Sequence, residues 1–490
     1  MSGIAGIIEK KDNKKERDVN ILLDKISHRG DRRAVHDVPG GMVGMNSNYD
    51  FNTRINGHTI LMDGRIYNLD DLMIKYNIHS DISPMSDPEK ISILLGEKGT
   101  DIFKELNGSF ALVILDRLGD VFLARDMIGR KPLYYSNDNG ILMFASEVKS
   151  LIGITDNIME FPPGSYMVNL KEPKIINSIE TGNYSIMQDH DPGVLEDRLE
   201  HHLLRSMDAR IVDKNIDLGV WLSGGLDSSV VAALLKEFSD RVYTYSVGYE
   251  DSPDMIAARK VAKYLGTDHT EYRLDADELF ANIPNTIYHL ESFDAPLVRS
   301  TLGNMIVSRI SASSDVVFSG EGGDELFAGY DYFLELDSSK VIQEELVNAI
   351  NALHNTALQR VDRTANAYSV NVRLPLLDEN LLNFVLQIPP RDKVRKDKGT
   401  GKYILRKIAA RYLPEDIAWR SKDKFWEGSG IQDTIEKKVD SIISDKEFLE
   451  TSQEGPLIRN KEEAYYYNIF KDHFSDINID NFLSFTKDFN

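Results

Sequence analysis

Short apolar runs, each broken after a few residues by Gly, Asn or Asp, fill the chain up to about Thr181. GHTILMDGRIYN, SFALVILDRLGDVFLARD and GILMFASE are examples. Runs of this kind with turn formers between them predict antiparallel strands and few helices. From about Val194 the pattern changes. The apolar stretches DLGVWL, RVYTYSVGY and DVVFSG are now separated by segments of helical spacing, which predicts a parallel α/β arrangement. Past Asp331 the chain reads as mostly helical. Between the two regions, NYSIMQDHDPG (Asn183–Gly193) is polar and rich in turn formers, and reads as a linker. The expected organisation is a first domain over 1–182, a linker over 183–193 and a second domain over 194–490. No internal repeat or low-complexity tract is visible.

Composition narrows the function classes. Apolar residues make up 42% of the 490 positions, enough for real cores, and no apolar run approaches the length needed to span a bilayer. The start, MSGIAGII, is too short and lacks the basic flank of a signal peptide, so a soluble, cytoplasmic chain with no membrane partner is expected. Cysteine is absent, which removes disulfides, thiolate nucleophiles and cysteine–zinc sites together. The formal net charge of -21 argues against a nucleic-acid partner, since neutralising phosphates takes clustered Lys and Arg.

One stretch stands out chemically. LSGGLDSSVVAALL (Leu222–Leu235) puts two glycines and three serines between the apolar run DLGVWL and a helical pattern. Glycines let backbone N–H groups approach a ligand, and a helix N-terminus carries partial positive charge, so the arrangement suits an anion, most simply a phosphate. A tight turn with a capping serine would look similar. Asp227 favours the phosphate reading, because a carboxylate beside a phosphate makes sense if Mg2+ bridges the two. No Lys-Ser/Thr pair follows the glycines, so the loop is not a Walker A motif. A second strand-then-glycine stretch, DVVFSGEGGDELFAGY (Asp315–Tyr330), again places glycines and acids after an apolar strand. Ligands of open α/β sheets bind beyond the carboxyl ends of the strands, so the two loops are expected to share one site, with Asp227 and Asp324 as paired Mg2+ ligands. Glu321, Asp324 and Glu325 also suit a helix start as capping acids.

Taken together these residues resemble a family. SGGLDSS resembles the pyrophosphate loop of ATP pyrophosphatases. SVGYEDSPDMIAARKVAKYLGTDHTEY, SGEGGDELFAGY, VNVRLPLLD, ILRKIAARYLP and WRSKDKFWEGSG follow in the order seen in asparagine synthetases of the glutamine-hydrolysing type. GIAGI, ISHRG, IYN, LNGSFA, LARDMIGRKPLYY, FASEVKSL and FPPGSY are similar to the glutaminase half of that family, so the resemblance covers essentially the whole chain. It implies an α+β N-terminal domain of the Ntn type, with layered antiparallel sheets, followed by an α/β ATP-pyrophosphatase domain. It implies ATP and Mg2+ as cofactors, with a carboxylate amino acid (aspartate in the parent enzyme) and ammonia as small-molecule substrates. A homodimer would fit the family.

The resemblance also assigns roles. Ser223, Gly224, Gly225, Asp227, Ser228 and Ser229 would hold the departing pyrophosphate. Leu222, Val247, Gly248, Ser319 and Gly320 would form the nucleotide pocket, and Asp227 and Asp324 would hold the metal. Lys422 would meet phosphate charge, and Glu321 would act as base when ammonia attacks the acyl-adenylate. Arg299 and Asp294 fall in ESFDAPLVRST, the stretch that grips the acidic substrate.

The departures lie mostly in the first domain. The family's nucleophilic cysteine after the initiator Met is Ser2 here, and a hydroxyl is a much weaker nucleophile. The family's Asn-Gly-Glu reads Asp63-Gly64-Arg65, where an ionised Asp cannot donate to an oxyanion and Arg repels the glutamine α-amine. The arginine-bearing stretch that grips the glutamine carboxylate is absent, whereas Asp87 still matches a pocket acid. These changes point to a degenerate domain with a structural role, covering the synthetase site, and to free ammonia or another amine as nucleophile. In the second domain, two expected threonines are Pro296 and Leu297, which opens the identity of the acceptor. Three other readings stand beside an ammonia-dependent amide ligase: a β-lactam synthetase-like cyclase, a non-catalytic nucleotide-binding scaffold, and a glutaminase working through Ser2.

Overall fold

The computed structural model describes residues 2–9, 18–49, 53–78, 85–188, 191–211, 216–421, 431–454, 456–475 and 477–486. Two compact units emerge: Met1–Ile179 with Asp476–Leu483, and Glu180–Ser475 with Ser484–Asn490. Among the described residues no helix is long and apolar enough to cross a membrane.

The first unit contains two six-stranded sheets. One runs β10 (Met159–Glu160), β8 (Tyr134–Asp138), β9 (Ile141–Ala145), β1 (Ser2–Glu9), β3 (Gly41–Ser47), β2 (Arg32–Val38). The other runs β12 (Lys174–Ile175), β11 (Ser165–Val168), β7 (Val121–Arg125), β6 (Gly108–Leu115), β5 (His58–Ile66), β4 (Arg54–Ile55). The pairings are antiparallel, as the alternating runs and turn residues imply. Alternation of side chains along a strand explains the layering. Ile4 and Ile8 of β1 meet Leu61 of β5 and Val113 of β6 in a core between the sheets. Ala5 and Ile7 face the other way, onto Val19, Leu22 and Leu23 of the Val19–Lys25 helix. Ile60 and Met62 of β5 pack on Leu94 and Leu95 of the Asp87–Lys98 helix. Each sheet is thus buried on both faces, which is why its inner strands read as nearly unbroken apolar runs.

The segment Asp476–Leu483 belongs to this unit, although the sequence pattern placed everything after residue 194 in the second domain. Phe482 is buried against the Val19–Lys25 layer, with its ring edge-on to Tyr134 at 6.3 Å between centroids. Phe482→Ala is expected to destabilise this unit by about 3 kcal/mol, the usual cost of emptying a buried phenylalanine site. A denaturant titration read on the N-terminal unit checks it, and an unshifted midpoint would mean that the strap contributes nothing.

The second unit is built on a five-stranded parallel sheet in the order β15 (Asp268–Arg273), β14 (Val242–Gly248), β13 (Leu218–Trp221), β16 (Val316–Phe318), β17 (Val372–Arg373). The chain steps outward from β13 to β14 and β15, then returns to the other side of β13 for β16 and β17. Strand order therefore reverses between β13 and β16, and the two loops leaving their carboxyl ends diverge to form a crevice. Those loops are Leu222–Gly225 and the stretch that begins at Ser319. Of the residues read as a linker, 183–188 lie along this unit. Met187 N–H donates to the Gln387 carbonyl (3.0 Å), and the Tyr184 hydroxyl lies 3.3 Å from Asn383 Oδ1. Asp191 then caps the Pro192–Asp208 helix by accepting from Gly193 and Val194 N–H groups (2.8 and 3.1 Å).

Candidate active site

The loop after β13 is shaped by its own hydroxyls. Ser223 and Ser228 Oγ atoms are 3.0 Å apart, the Ser223 N–H donates to Ser228 Oγ (3.2 Å), and the Gly225 N–H donates to Ser223 Oγ (3.3 Å). Ser228 Oγ in turn donates to the Gly225 carbonyl (3.2 Å). Gly225 is the N-cap of the Leu226–Lys236 helix, which carries Asp227, Ser228 and Ser229 in its first turn. Gly224 has φ +75, and a Cβ there would stand 2.5 Å from the Ala258 backbone nitrogen, so only glycine fits. The helix start presents N–H groups that have no intrahelical partner, as an anion site requires.

Leu222 is buried at the end of β13; its N–H donates to the Tyr245 carbonyl (2.8 Å) and its carbonyl accepts from Ser246 Oγ (2.5 Å). Val247 and Gly248 end the neighbouring strand β14. Ser319 is buried after β16, its N–H on the Arg373 carbonyl (3.0 Å), and Gly320 backs directly onto the first turn of the Leu226–Lys236 helix. The two sequence-predicted loops therefore do meet.

Their meeting point is a lysine that the sequence reading passed over. Lys402 Nζ lies 2.5 Å from Asp227 Oδ2 and 2.7 Å from Asp324 Oδ1. Its side chain is only 6% exposed. Burial alone would lower its pKa, but the charges of Asp227 and Asp324 outweigh that and raise it, so the group stays an ammonium. Lys402 sits at the N-cap of the Tyr403–Tyr412 helix with φ +54, a left-handed conformation that costs a non-glycine residue roughly 1–3 kcal/mol and clusters at functional sites. Locally the sequence offers only GTGK, which marks a turn before a helix and does not mark the lysine as functional. Next to Asp324, burial and then its charge push Glu325 up to about 7, while the Tyr330 hydroxyl donates to its carboxylate (2.5 Å).

Gly329 makes room for this arrangement. A Cβ there would meet Lys402 Cε at 1.9 Å and Asp324 Oδ1 at 2.1 Å. Both are side-chain atoms, so the chain would fold and the lysine would shift. Gly329→Ala is expected to keep the thermal melt within a few degrees and cut turnover by about 10²-fold, the scale of one lost charge-stabilising donor. Parallel melting and pyrophosphate-release assays check it; undiminished turnover would remove Lys402 from the chemistry.

The remaining predicted residues are placed as follows. Glu321 follows Gly320, and its carboxylate is 2.5 Å from Arg360 Nη2, an ion pair with no local trace in the sequence. Lys422 lies outside the described residues. Arg420, two positions earlier, holds the Gly224 carbonyl (3.1 Å) and Asp254 (2.9 Å). Asp294 is fully buried and caps the Ala295–Ile310 helix. It also takes hydrogen bonds from Thr486 and an ion pair from Arg459 at 2.5 Å. Arg299, on the same helix, is bound to Glu462. Asp294 and Arg299 are therefore engaged with protein groups.

Comparison with known proteins identifies the family. The asparagine synthase family model matches residues 198–342 and 335–476, and the glutamine amidotransferase domain model matches residues 1–181. The chain belongs to the asparagine synthase family. It is 33% identical over 447 residues to asparagine synthetase B [glutamine-hydrolyzing] of Escherichia coli (strain K12), covering 85% of this chain and 79% of that protein. It is 33% identical over 416 residues to asparagine synthetase [glutamine-hydrolyzing] of Rattus norvegicus, covering 75% and 73%. These relatives are ligases that form carbon–nitrogen bonds, and this chain is a ligase of the same family.

Members of the asparagine synthase family use ATP, and the donors here suit it with Mg2+. That cation is usually held by one or two carboxylates together with substrate phosphates. Asp227 and Asp324 provide such a pair, and among the described residues no group of three or more acidic or histidine side chains forms a closed cage. The fit is to a metal that arrives with the triphosphate. Asp227 and Asp324 would hold it, and it would neutralise phosphate charge.

In the first unit, the residues that the sequence resemblance singles out stand in or beside a buried ionic cluster. Ser2 is buried in β1 opposite Ser47. Arg29, wholly buried, donates to the Ser2 carbonyl (3.4 Å) and to Asp63 Oδ2 (3.1 Å), and also pairs with Glu147. Lys131 Nζ is 3.6 Å from Asp63 Oδ1. His28 and Lys149 join the cluster through Glu147. Arg65, two residues beyond Asp63 on β5, faces Asp87, at the start of the Asp87–Lys98 helix. Burial raises the Asp87 pKa, while Arg65 and Lys90 oppose the rise.

Proposed function

We propose that this chain is an ammonia-dependent amide ligase: it adenylates a carboxylate with ATP and Mg2+, releases pyrophosphate, and joins ammonia to the activated acyl group, releasing AMP. The observation that carries this reading is Lys402 between Asp227 and Asp324, beside the Ser223–Ser229 loop at the crevice between β13 and β16. A carboxylate oxygen attacks the α-phosphorus and the bond to the β-phosphate breaks. The leaving charge meets loop N–H groups, serine hydroxyls and the Lys402 ammonium. Asp227 and Asp324 would hold Mg2+, which would supply further neutralisation of phosphate charge. Lys422 adds a second cation in this reading. Ammonia then attacks the acyl carbon, AMP departs, and Glu321 takes the surplus proton. The aspartate acceptor and the glutamine donor are those of the relatives. Asp63 and Arg65 support ammonia as the nitrogen source here.

The test is pyrophosphate release from ATP and Mg2+ over a panel of carboxylic acids, with ammonium against glutamine as nitrogen source. Amide formed from ammonium alone supports the reading. Equal turnover with glutamine would overturn its second half, and no release with any acid would overturn the first.

A further inference from the structure

Arg299 stands at the same edge of the sheet as the crevice. It lies near the start of the Ala295–Ile310 helix, the last of three in the crossover from β15 to β16, and a helix that feeds the amino end of a parallel strand starts toward the carboxyl edge of the sheet. The Ile431–Asp440 helix confirms the placement, because its Thr434 hydroxyl is 2.9 Å from that of Tyr249, the residue that follows β14. Glu436, two positions on, is 3.4 Å from Arg299 Nη2.

The guanidinium fork is already filled. Arg299 Nε donates to Glu462 Oε1 and Oε2 (2.9 and 3.0 Å), and Nη2 lies 2.8 Å from Oε2. The Tyr466 hydroxyl fixes the same carboxylate through Oε1 at 2.7 Å. Arg299 and Glu462 side chains are 9% and 4% exposed, so this is a packed pair and not a surface contact. This is the two-toothed geometry in which an arginine receives a ligand carboxylate. With Glu436 included, one cation faces two carboxylates, so the charge around Arg299 disfavours another anion. Beside it, Leu297 is buried and Pro296 precedes it, where hydroxyl side chains were expected.

We propose that Glu462 takes the place of the acceptor's second carboxylate, so that this enzyme adenylates a monocarboxylic acid with a neutral or cationic remainder and discriminates against aspartate. The inference rests on the adenylating reading of the site. Glu462 and Glu436 are its specificity determinants, and Arg299 positions Glu462.

The test compares aspartate with its α-amide, isoasparagine, which keeps the carboxylate to be activated and lacks the second one. Acceptor-dependent exchange of pyrophosphate into ATP reports adenylation without any nitrogen source. In the unaltered protein, kcat/KM for isoasparagine is expected to exceed that for aspartate by about tenfold or more, and Glu462→Gln to shift the ratio back by at least about tenfold, mainly through the KM for aspartate. Calorimetric titration of aspartate, with Mg2+ and a non-hydrolysable ATP analogue present, should show a matching gain in affinity for Glu462→Gln. If neither acid supports exchange, the adenylating reading fails for both, and the titration still decides whether Glu462 excludes a second carboxylate. Equal aspartate affinity in the two proteins overturns the proposal. So does a preference of the unaltered protein for aspartate, a result that stands even if Glu462→Gln does not fold.

Discussion

Lys402→Met should abolish pyrophosphate release, with a fall of about 10³-fold or more, at the upper end of what one oxyanion-stabilising donor contributes. Lys402 lies within ion-pair distance of both Asp227 and Asp324. Removing it leaves two carboxylates side by side in a largely buried site, where like charges disfavour each other's ionisation. It also removes a positive charge next to the loop that receives pyrophosphate. Both losses act on the leaving group. Turnover should therefore fall at saturating ATP and acceptor, not only at low concentration. Because Asp227 and Asp324 raise the Lys402 pKa above that of the unfolded chain, the ion pair stabilises the fold throughout the neutral range. On the lysine's side, that contribution is lost as the pH climbs past the ordinary lysine range toward the raised value. Lys402→Arg sharpens the test. It retains a charge for the fold, but a planar fork cannot sit between two carboxylates that approach one nitrogen from different loops. The arginine variant should melt near the unaltered protein and remain nearly inactive. Two active variants would mean that the ammonium is structural only.

That lysine also marks the limit of what the sequence disclosed. The antiparallel and parallel regions were legible because strand burial leaves a local trace: alternating or continuous apolar runs between turn residues. The Ser223–Ser229 loop was legible for the same reason, since strand, glycines and helix are contiguous. Lys402 is different. It comes to Asp227 across 175 positions, and nothing local tells a buried lysine bridging two acids from an exposed one. Its neighbours in GTGK signalled only a turn. Glu462 reaches Arg299 across 163 positions, and Arg360 reaches Glu321 across 39. In each case the family motif exposed one partner and the fold supplied the other. Phe482 repeats the lesson in packing: the short stretch INIDNFL shows neither a clear strand nor a clear helix period, yet Phe482 is buried in the first unit's core.

Ser2→Cys alone should leave glutamine hydrolysis at background, even though it restores the family's nucleophile. The obstacle is Asp63. Its side chain is fully buried and held by Arg29 at 3.1 Å, with Lys131 at 3.6 Å. A carboxylate only accepts hydrogen bonds, so it cannot donate to the oxyanion of a tetrahedral intermediate, and its charge opposes the one that develops there. Loss of one such donor costs about 10²–10³ in rate before any repulsion is counted. In the proposed reading Arg65 adds a second obstacle, since a cation at the position the family resemblance assigns to the glutamine α-amine would repel it. Measurable release of glutamate is expected only when Asp63→Asn and Arg65→Glu accompany Ser2→Cys. A single Ser2→Cys protein that feeds the synthetase as fast with glutamine as with ammonium would sink this account. The reverted triple variant should also be less stable than the parent. Breaking a buried ion pair from one side commonly costs about 3–5 kcal/mol, reduced here because Arg29 keeps Glu147 as a partner. A lowered first melting transition in that variant would show that Asp63 is now a settled member of the core's ionic cluster. Reactivating this unit would then have to work against its stability as well as its chemistry.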